Sequence, residues 1–377
     1  MKIGVITFWN GNDNYGMLLQ CWALQRYLEK QGHQPFVIKF DVRGNILKRL
    51  LREVLLFVKL PFNKSLRTSY KLQRRNNKYN KLRDFDSFRK TYLRFSKRTY
   101  HYVEKLRRFP PVADCYISGS DQIWRGSLRF RNIWGYFLDF GPADVKRVAY
   151  APSFGMKEYP VSEEFLLKQA LSKYDYVSCR ENDGVEICKR IGVKSIKVED
   201  PTLLLDAEDY LSLCTKPLAS NYIFIYSINI ESPEDIYYTD LIKDKKEKKI
   251  IVTPSRGYLP SKEVFGEMVN YFYPTPHEWL SLIAFSDFLV TTSFHGVVFS
   301  IIFNKKFAYV PLKGKYANAN NRVFDLLYGL SLDFTIVNDG KDFDRINNSV
   351  FNWDYINRLK KKRVTQSKMF IADSCNE

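Results

Sequence analysis

Short apolar runs separated by polar turns set the rhythm of this chain. Ile3 to Phe8 is an apolar run of strand length. Turn-forming residues follow from Asn10 to Gly16. Leu18, Cys21, Trp22, Leu24 and Leu28 then recur near helical spacing between Met17 and Lys30. Gln31-Gly32 supplies the stop that glycine commonly gives a helix. Gln34 to Phe40 is a second strand-like run. This βαβ opening predicts a parallel sheet with helices packed on it. From Ala113 the rhythm resumes, with strands predicted at 115–118, 148–155, 176–179 and 196–199. Each delivers polar residues at its carboxyl end, the edge where open α/β sheets bind ligands.

Between about 206 and 222 the pattern changes sheets. Strands are predicted at 222–227, 250–253, 288–292 and 307–311, and helices at 279–285, 323–328 and from about 353. A chain of 377 residues is long for one core, so two domains are expected. The expected division is a Rossmann-like domain over 1–210, a second over 211–352 and a helical tail over 353–377. The strand Phe288-Leu289-Val290 runs into Thr291-Thr292-Ser293-Phe294-His295-Gly296, and a second apolar run from Val297 begins a helix. One of the chain's four histidines, His295, thus sits at a strand–helix turn, suited to proton chemistry near neutral pH.

Charge changes the picture in one place. The net charge is +18, yet residues 41–110 alone hold 21 Lys/Arg against 5 Asp/Glu, so the rest is nearly neutral. Within this basic helical insertion, 44–110, residues 46–62 read as an amphipathic helix. Leu47, Leu50, Leu51, Val54, Leu55 and Val58 form one face, and Lys48, Arg49, Arg52 and Lys59 lie on or beside the other. That pattern suits an anionic membrane interface, and a helix packed on its own domain with a solvated basic side is the plain alternative. Residues 64–108 stay basic with interleaved aromatics, but no nucleic-acid motif accompanies them, so no nucleic-acid partner is expected. Six scattered cysteines form no C-x-x-C pair, which gives neither a zinc site nor a disulfide framework and fits a reducing, cytoplasmic setting. No run approaches the ~18 apolar residues of a membrane span. Gly11 to Gly16 has P-loop spacing, but Met17-Leu18 stand where Lys and Ser/Thr are required. The loop can still aim backbone N–H groups at a polar ligand.

Six motifs occur in order: Asn14-Tyr15-Gly16 with Leu19-Gln20 and Ala23-Leu24-Gln25, Gly119-Ser120-Asp121-Gln122-Ile123-Trp124, Tyr150-Ala151-Pro152-Ser153-Phe154-Gly155, Arg180-Glu181, Asp200-Pro201-Thr202, and Ser293-Phe294-His295-Gly296. Together they resemble the polysaccharide pyruvyl transferase family, across residues 1 to about 330. The resemblance implies two Rossmann-like domains facing a cleft, similar to GT-B glycosyltransferases. It implies phosphoenolpyruvate as donor substrate with no other cofactor and no metal. The acceptor would be a sugar diol on a cell-surface or capsular saccharide, or on its lipid-linked precursor at the inner membrane face. The product would be a cyclic pyruvate ketal, with phosphate released. A GT-B glycosyltransferase using a sugar nucleotide, or a non-catalytic saccharide- or membrane-binding member, are the alternatives.

The resemblance makes His295 the catalytic candidate, as proton donor and acceptor or as a phosphate ligand. Arg180, Arg322, Ser293 and Gly296 are the donor-binding candidates. Asp13, Asn14, Tyr15, Gly16, Ser120, Asp121 and Gln122 are the acceptor-binding ones. Asp200 reads as a turn or cap. Three positions depart from the family pattern. Ser293 stands where many members carry an arginine, which shifts weight onto Arg322. Thr292 replaces an acid found in a subset, and Arg125 replaces a common Asn. The sequence sets neither the sugar nor the oligomeric state.

Overall fold

The computed structural model of the chain describes residues 1–12, 14–44, 61, 67, 70, 74, 77–216, 219–228, 248–254 and 269–376. Asp13 and nearly all of the basic segment 46–62 lie outside the described residues.

Seven parallel strands form the first sheet: β1 (Lys2–Ile6), β2 (Gln34–Phe40), β3 (Phe95–Tyr100), β4 (Cys115–Ser118), β5 (Lys146–Ala149), β6 (Tyr176–Cys179) and β7 (Ile196–Lys197), in the order β3-β2-β1-β4-β5-β6-β7. Five parallel strands form the second: β8 (Tyr222–Ser227), β9 (Lys249–Pro254), β10 (Val269–Tyr271), β11 (Phe288–Thr291) and β12 (Phe307–Tyr309), in the order β10-β9-β8-β11-β12. The change of sheet falls between Lys197 and Tyr222. Strands such as Cys115–Ser118 and Tyr222–Ser227 are buried at every position. That follows from helices covering both faces of a parallel sheet.

The strand order reverses between β1 and β4 in one sheet and between β8 and β11 in the other. At such points the connections leave in opposite directions and open a crevice at the carboxyl edge. Helix α1 (Tyr15–Lys30) starts from the first crevice. The other helices that matter below are α2 (Phe85–Tyr92), α3 (Glu164–Leu171), α4 (Asn182–Arg190), α5 (Pro276–Ala284), α6 (Phe294–Ile302), α7 (Asn321–Gly329) and α8 (Trp353–Asn376). Helix α6 starts from the second crevice.

The two sheets share one continuous apolar core. Its central joint is aromatic. Tyr15 of α1 stacks on Trp279 of α5 at 5.1 Å with the rings 4° from parallel, and its hydroxyl donates to the Pro274 carbonyl at 2.6 Å. The last helix crosses back to the first sheet. Ser367 Oγ accepts from Glu199 N at 2.8 Å, Arg363 pairs with Glu199 at 2.6 Å, and Phe370 lies beside Tyr150 and Tyr176.

Three strands depart from the sequence expectation, one of them β10 (Val269–Tyr271), an edge strand of the second sheet that was not expected. β3 is an edge strand whose Lys97, Arg98 and Thr99 are exposed, so it lacks the apolar run that marks a buried strand. The strand expected over 148–155 stops at Ala149, because Ala151 turns the chain into the left-handed region (φ 55°) just before Pro152.

Trp279 is fully buried in the joint. Trp279→Ala is expected to lower unfolding stability by roughly 3–5 kcal/mol, read from urea denaturation. A loss under ~1 kcal/mol would show that the joint adds little.

Candidate functional site

The site is assembled from the carboxyl ends of both sheets. Beyond β4 come Ser120 and Asp121, beyond β5 Ser153, beyond β6 Arg180 and Glu181, and beyond β7 Asp200. The second sheet contributes Ser293, Phe294 and His295 at the end of β11, with Arg322 in the first turn of α7. The two halves touch where His295 lies on the start of α1. A Cβ added to Gly16 would fall 2.0 Å from His295 Nδ1, so the imidazole rests directly on the glycine backbone.

Asp200 is the hub. One carboxylate oxygen, Oδ2, accepts from Arg180 Nη1 at 3.0 Å and Ser120 Oγ at 2.9 Å. The other, Oδ1, accepts from Thr202 N at 3.0 Å and Thr202 Oγ1 at 2.7 Å. His295 Nε2 stands 3.7 Å from Oδ2, close enough for charge pairing but beyond a hydrogen bond. Burial alone would raise the Asp200 carboxyl. The neighbouring His295, the Arg180 charge and the Thr202 hydroxyl outweigh it and hold the group well below the usual carboxylate range.

Arg180 and Arg322 flank the Phe294 ring, with guanidinium carbons 5.0 and 5.4 Å from its centroid. Each gains from the aromatic face, yet each repels the other. Burial lowers the pKa of Arg180, but the charges of Glu181, Asp200 and Asp121 more than restore it. Burial and the Arg180 charge together lower that of Arg322, against the pull of Asp121 and Glu181. Glu181 is itself anchored by the Ser153 hydroxyl and approaches Arg180 Nε at 3.5 Å. Nη2 of Arg180, Nε of Arg322 and Nε2 of His295 are enclosed without a hydrogen-bond acceptor. Enclosed N–H donors without acceptors are costly, and two adjacent buried cations more so, unless a ligand supplies the missing negative charge.

Two residues near this centre adopt left-handed backbone without being glycine: Asp121 (φ 78°) and Ala151 (φ 55°). The left-handed region costs an alanine about 1–2 kcal/mol and an aspartate less, since its side chain can bond locally. Here Asp121 Oδ1 accepts from Gln122 N at 2.8 Å. Its carbonyl accepts from Ser153 N at 2.9 Å, and Ser178 Oγ accepts from Ala151 N at 3.2 Å. These bonds fix the two turns and leave Asp121 and Gln122 partly exposed.

The remaining candidates separate by placement. Tyr15, expected at the acceptor, is fully buried in the aromatic joint. Ser120, expected there too, is fully buried between Asp200 and Arg180 Nη1, which reaches it at 3.3 Å. Neither presents polar surface to a sugar. Asn14 is exposed and caps α1 by accepting from Met17 N at 3.1 Å. Ser293 caps α6 by accepting from Gly296 N at 3.3 Å, which uses both expected donor-binding groups in one helix cap. Thr292 accepts from Ile228 N at 2.7 Å and serves the sheet. Sequence reasoning missed the central position of Asp200 and the platform role of Phe294. The available signal for Asp200 was its place in line with the other strand-end motifs, just after β7. Nothing in the sequence marks Phe294 as a support for two arginines.

Two parallel-sheet units joined at a cationic, histidine-bearing junction define a GT-B-like protein. The chain belongs to the polysaccharide pyruvyl transferase family, whose model matches residues 14–313, and so is a transferase. No curated protein matches it. In fold it is similar to the UDP-GlcNAc 2-epimerase from Methanocaldococcus jannaschii, at 11% identity and TM-score 0.51, with 98% of this chain and 100% of that one covered. Arabidopsis thaliana UGT89C1 also aligns, at 11% identity and TM-score 0.49, covering 99% of each chain.

Gly16→Ala is expected to push the imidazole off the α1 terminus and cut transfer activity by roughly a hundredfold, as ångström misplacements do, with folding intact. Near-normal turnover would show that the contact is dispensable. Asp200 also makes a pH prediction. A depressed folded pKa gives stability that is complete above the unfolded value of about 4 and is lost as pH falls. Asp200→Asn should therefore flatten the fall of denaturation midpoint between about pH 5 and 2. An unchanged slope would mean that other carboxylates govern acid unfolding.

Proposed function

We propose that the protein transfers pyruvate from phosphoenolpyruvate to two hydroxyls of a saccharide, forming a cyclic ketal and releasing phosphate. The observation that carries this reading is the junction itself. Arg180, Arg322 and His295 converge with enclosed, unused N–H donors on a space that needs negative charge. Phosphoenolpyruvate has a carboxylate and a phosphate close together, and guanidinium groups match both.

The chemistry balances with groups at hand. A proton goes to the donor methylene carbon, which becomes a methyl group. One acceptor hydroxyl adds to the adjacent carbon, the C–O bond to phosphate breaks, and the second hydroxyl closes the ring. Of the two hydroxyl protons, one is accounted for by the methyl group and the other by hydrogen phosphate. His295 is the proton carrier in this reading, an effect typically worth about 10²–10⁴-fold. Asp200 Oδ2 faces the imidazole at 3.7 Å across the domain joint. Asp121 and Gln122, partly exposed, are the proposed partners of the acceptor hydroxyls. Among the described residues no cluster of acidic, His or Cys side chains could hold a metal ion, and no helix is long and apolar enough to cross a membrane. The acceptor is proposed to be a capsular or other cell-surface saccharide, presented on a lipid carrier at the inner membrane face. The basic segment 41–110 is proposed to favour anionic lipid there.

Phosphate release from phosphoenolpyruvate in the presence of a saccharide acceptor tests the reaction. Release of UDP from a UDP-sugar, with no phosphate released from phosphoenolpyruvate, would overturn it in favour of glycosyl transfer. His295→Ala should lower turnover by at least ~10²-fold while donor affinity changes little. Arg322→Ala should instead weaken donor binding, measured by calorimetry. Near-normal turnover in the first, or unchanged affinity in the second, would remove those roles.

A further inference from the structure

The loop beyond β4, which carries Asp121, also builds a surface feature that the reaction does not use. It packs on the turn before α3. Glu163 accepts from Leu128 N at 2.9 Å and from Ser127 Oγ at 2.7 Å, and the Tyr159 hydroxyl donates to the Gly126 carbonyl at 3.3 Å. This packing displays three large apolar side chains, Phe130, Val161 and Phe165, at 71%, 78% and 79% exposure. Val161 opens the 3-10 turn that leads directly into α3, and Phe165 lies in the first turn of α3. Arg129, next to Phe130, reaches Ser162 Oγ at 3.3 Å and draws the two segments into one patch.

Exposed cations flank these side chains along the chain: Arg129 and Arg131 on either side of Phe130, and Lys168 one turn along α3 from Phe165. The acids of the patch are largely engaged. Glu163 is buried and bonded as above, Glu164 pairs with Arg190, and Glu104 stands 3.9 Å from Arg131. Glu158 is exposed. Apolar tips flanked by cations match the boundary zone of an anionic bilayer, where acyl chains take the tips and headgroups the charges. A soluble saccharide would offer no acyl chains to the tips.

We propose that Phe130, Val161 and Phe165 insert into an anionic membrane surface and seat the first domain on it. The loop that carries Phe130 also carries Asp121, so seating brings this side of the site toward the bilayer. None of these residues belongs to the stretch 46–62. The purpose of the surface rests on the lipid-linked acceptor reading, whereas its test needs no substrate, so the two can fail separately.

The test uses the full chain with Val161→Cys carrying an environment-sensitive fluorophore in a Cys214→Ser background. Cys214 is half-buried, and the other five cysteines are buried. Vesicles of phosphatidylcholine with phosphatidylglycerol are expected to raise the emission several-fold and shift it to the blue. The triple change Phe130→Ser, Val161→Ser and Phe165→Ser is expected to weaken vesicle binding by roughly tenfold or more at physiological salt, where contacts by exposed charges alone are largely screened. Unchanged emission while the chain sediments with vesicles would overturn the proposal and place the contact elsewhere. Absence of sedimentation would overturn it outright.

Discussion

The carboxylate of Asp200 is the constraint on which the site depends. It is 1% exposed, and it binds Arg180, Ser120 and Thr202 from its own domain while facing His295 from the other. A buried carboxylate is tolerable only when bonded and charge-paired. Those requirements fix Arg180 by a charged bond, Ser120 as a filler of the remaining lone pair, and the imidazole as an electrostatic partner. The aromatic joint of Tyr15 and Trp279 makes the last possible, since it locks the start of α1 against the second domain. Gly16 then leaves room for the imidazole. Position of the histidine and packing of the domains are thus one problem with one solution.

Charge explains why the centre is arranged across two domains. Arg180 has carboxylate partners in its own domain. Arg322 is held over Phe294 without an ion pair at that strength, and the Arg180 charge works against it. In the proposed reading, an anion between them would relieve the repulsion and satisfy the enclosed N–H groups.

Much of the architecture was legible because parallel strands buried on both faces are written as apolar runs. Ile3 to Phe8, Cys115 to Ser118 and Tyr222 to Ser227 show it. The edge strand Phe95–Tyr100 was not, since an edge spares it the apolar requirement. Position at a strand's carboxyl end identified Arg180 and His295 as candidates, and the structure brings both to one junction. The same rule misjudged direction. Ser120 and Tyr15 follow strands as expected, yet their side chains turn inward, to a carboxylate and to an indole. One-dimensional pattern locates an edge of a sheet but not which way a loop residue faces once two domains close over it.

Position 293 serves as a helix cap, where Ser293 Oγ accepts from Gly296 N. A cap there fixes the first turn of α6, the turn that holds both Phe294 and His295. The Phe294 ring in turn lies within 5.4 Å of the guanidinium carbons of both Arg180 and Arg322. The positive charge therefore reaches the junction from the end of β6 and the start of α7, while the β11–α6 turn supplies rigidity. An arginine added at 293 without other change would crowd two buried cations with a third and remove the cap, so the neighbouring residues and Ser293 are consistent as a set.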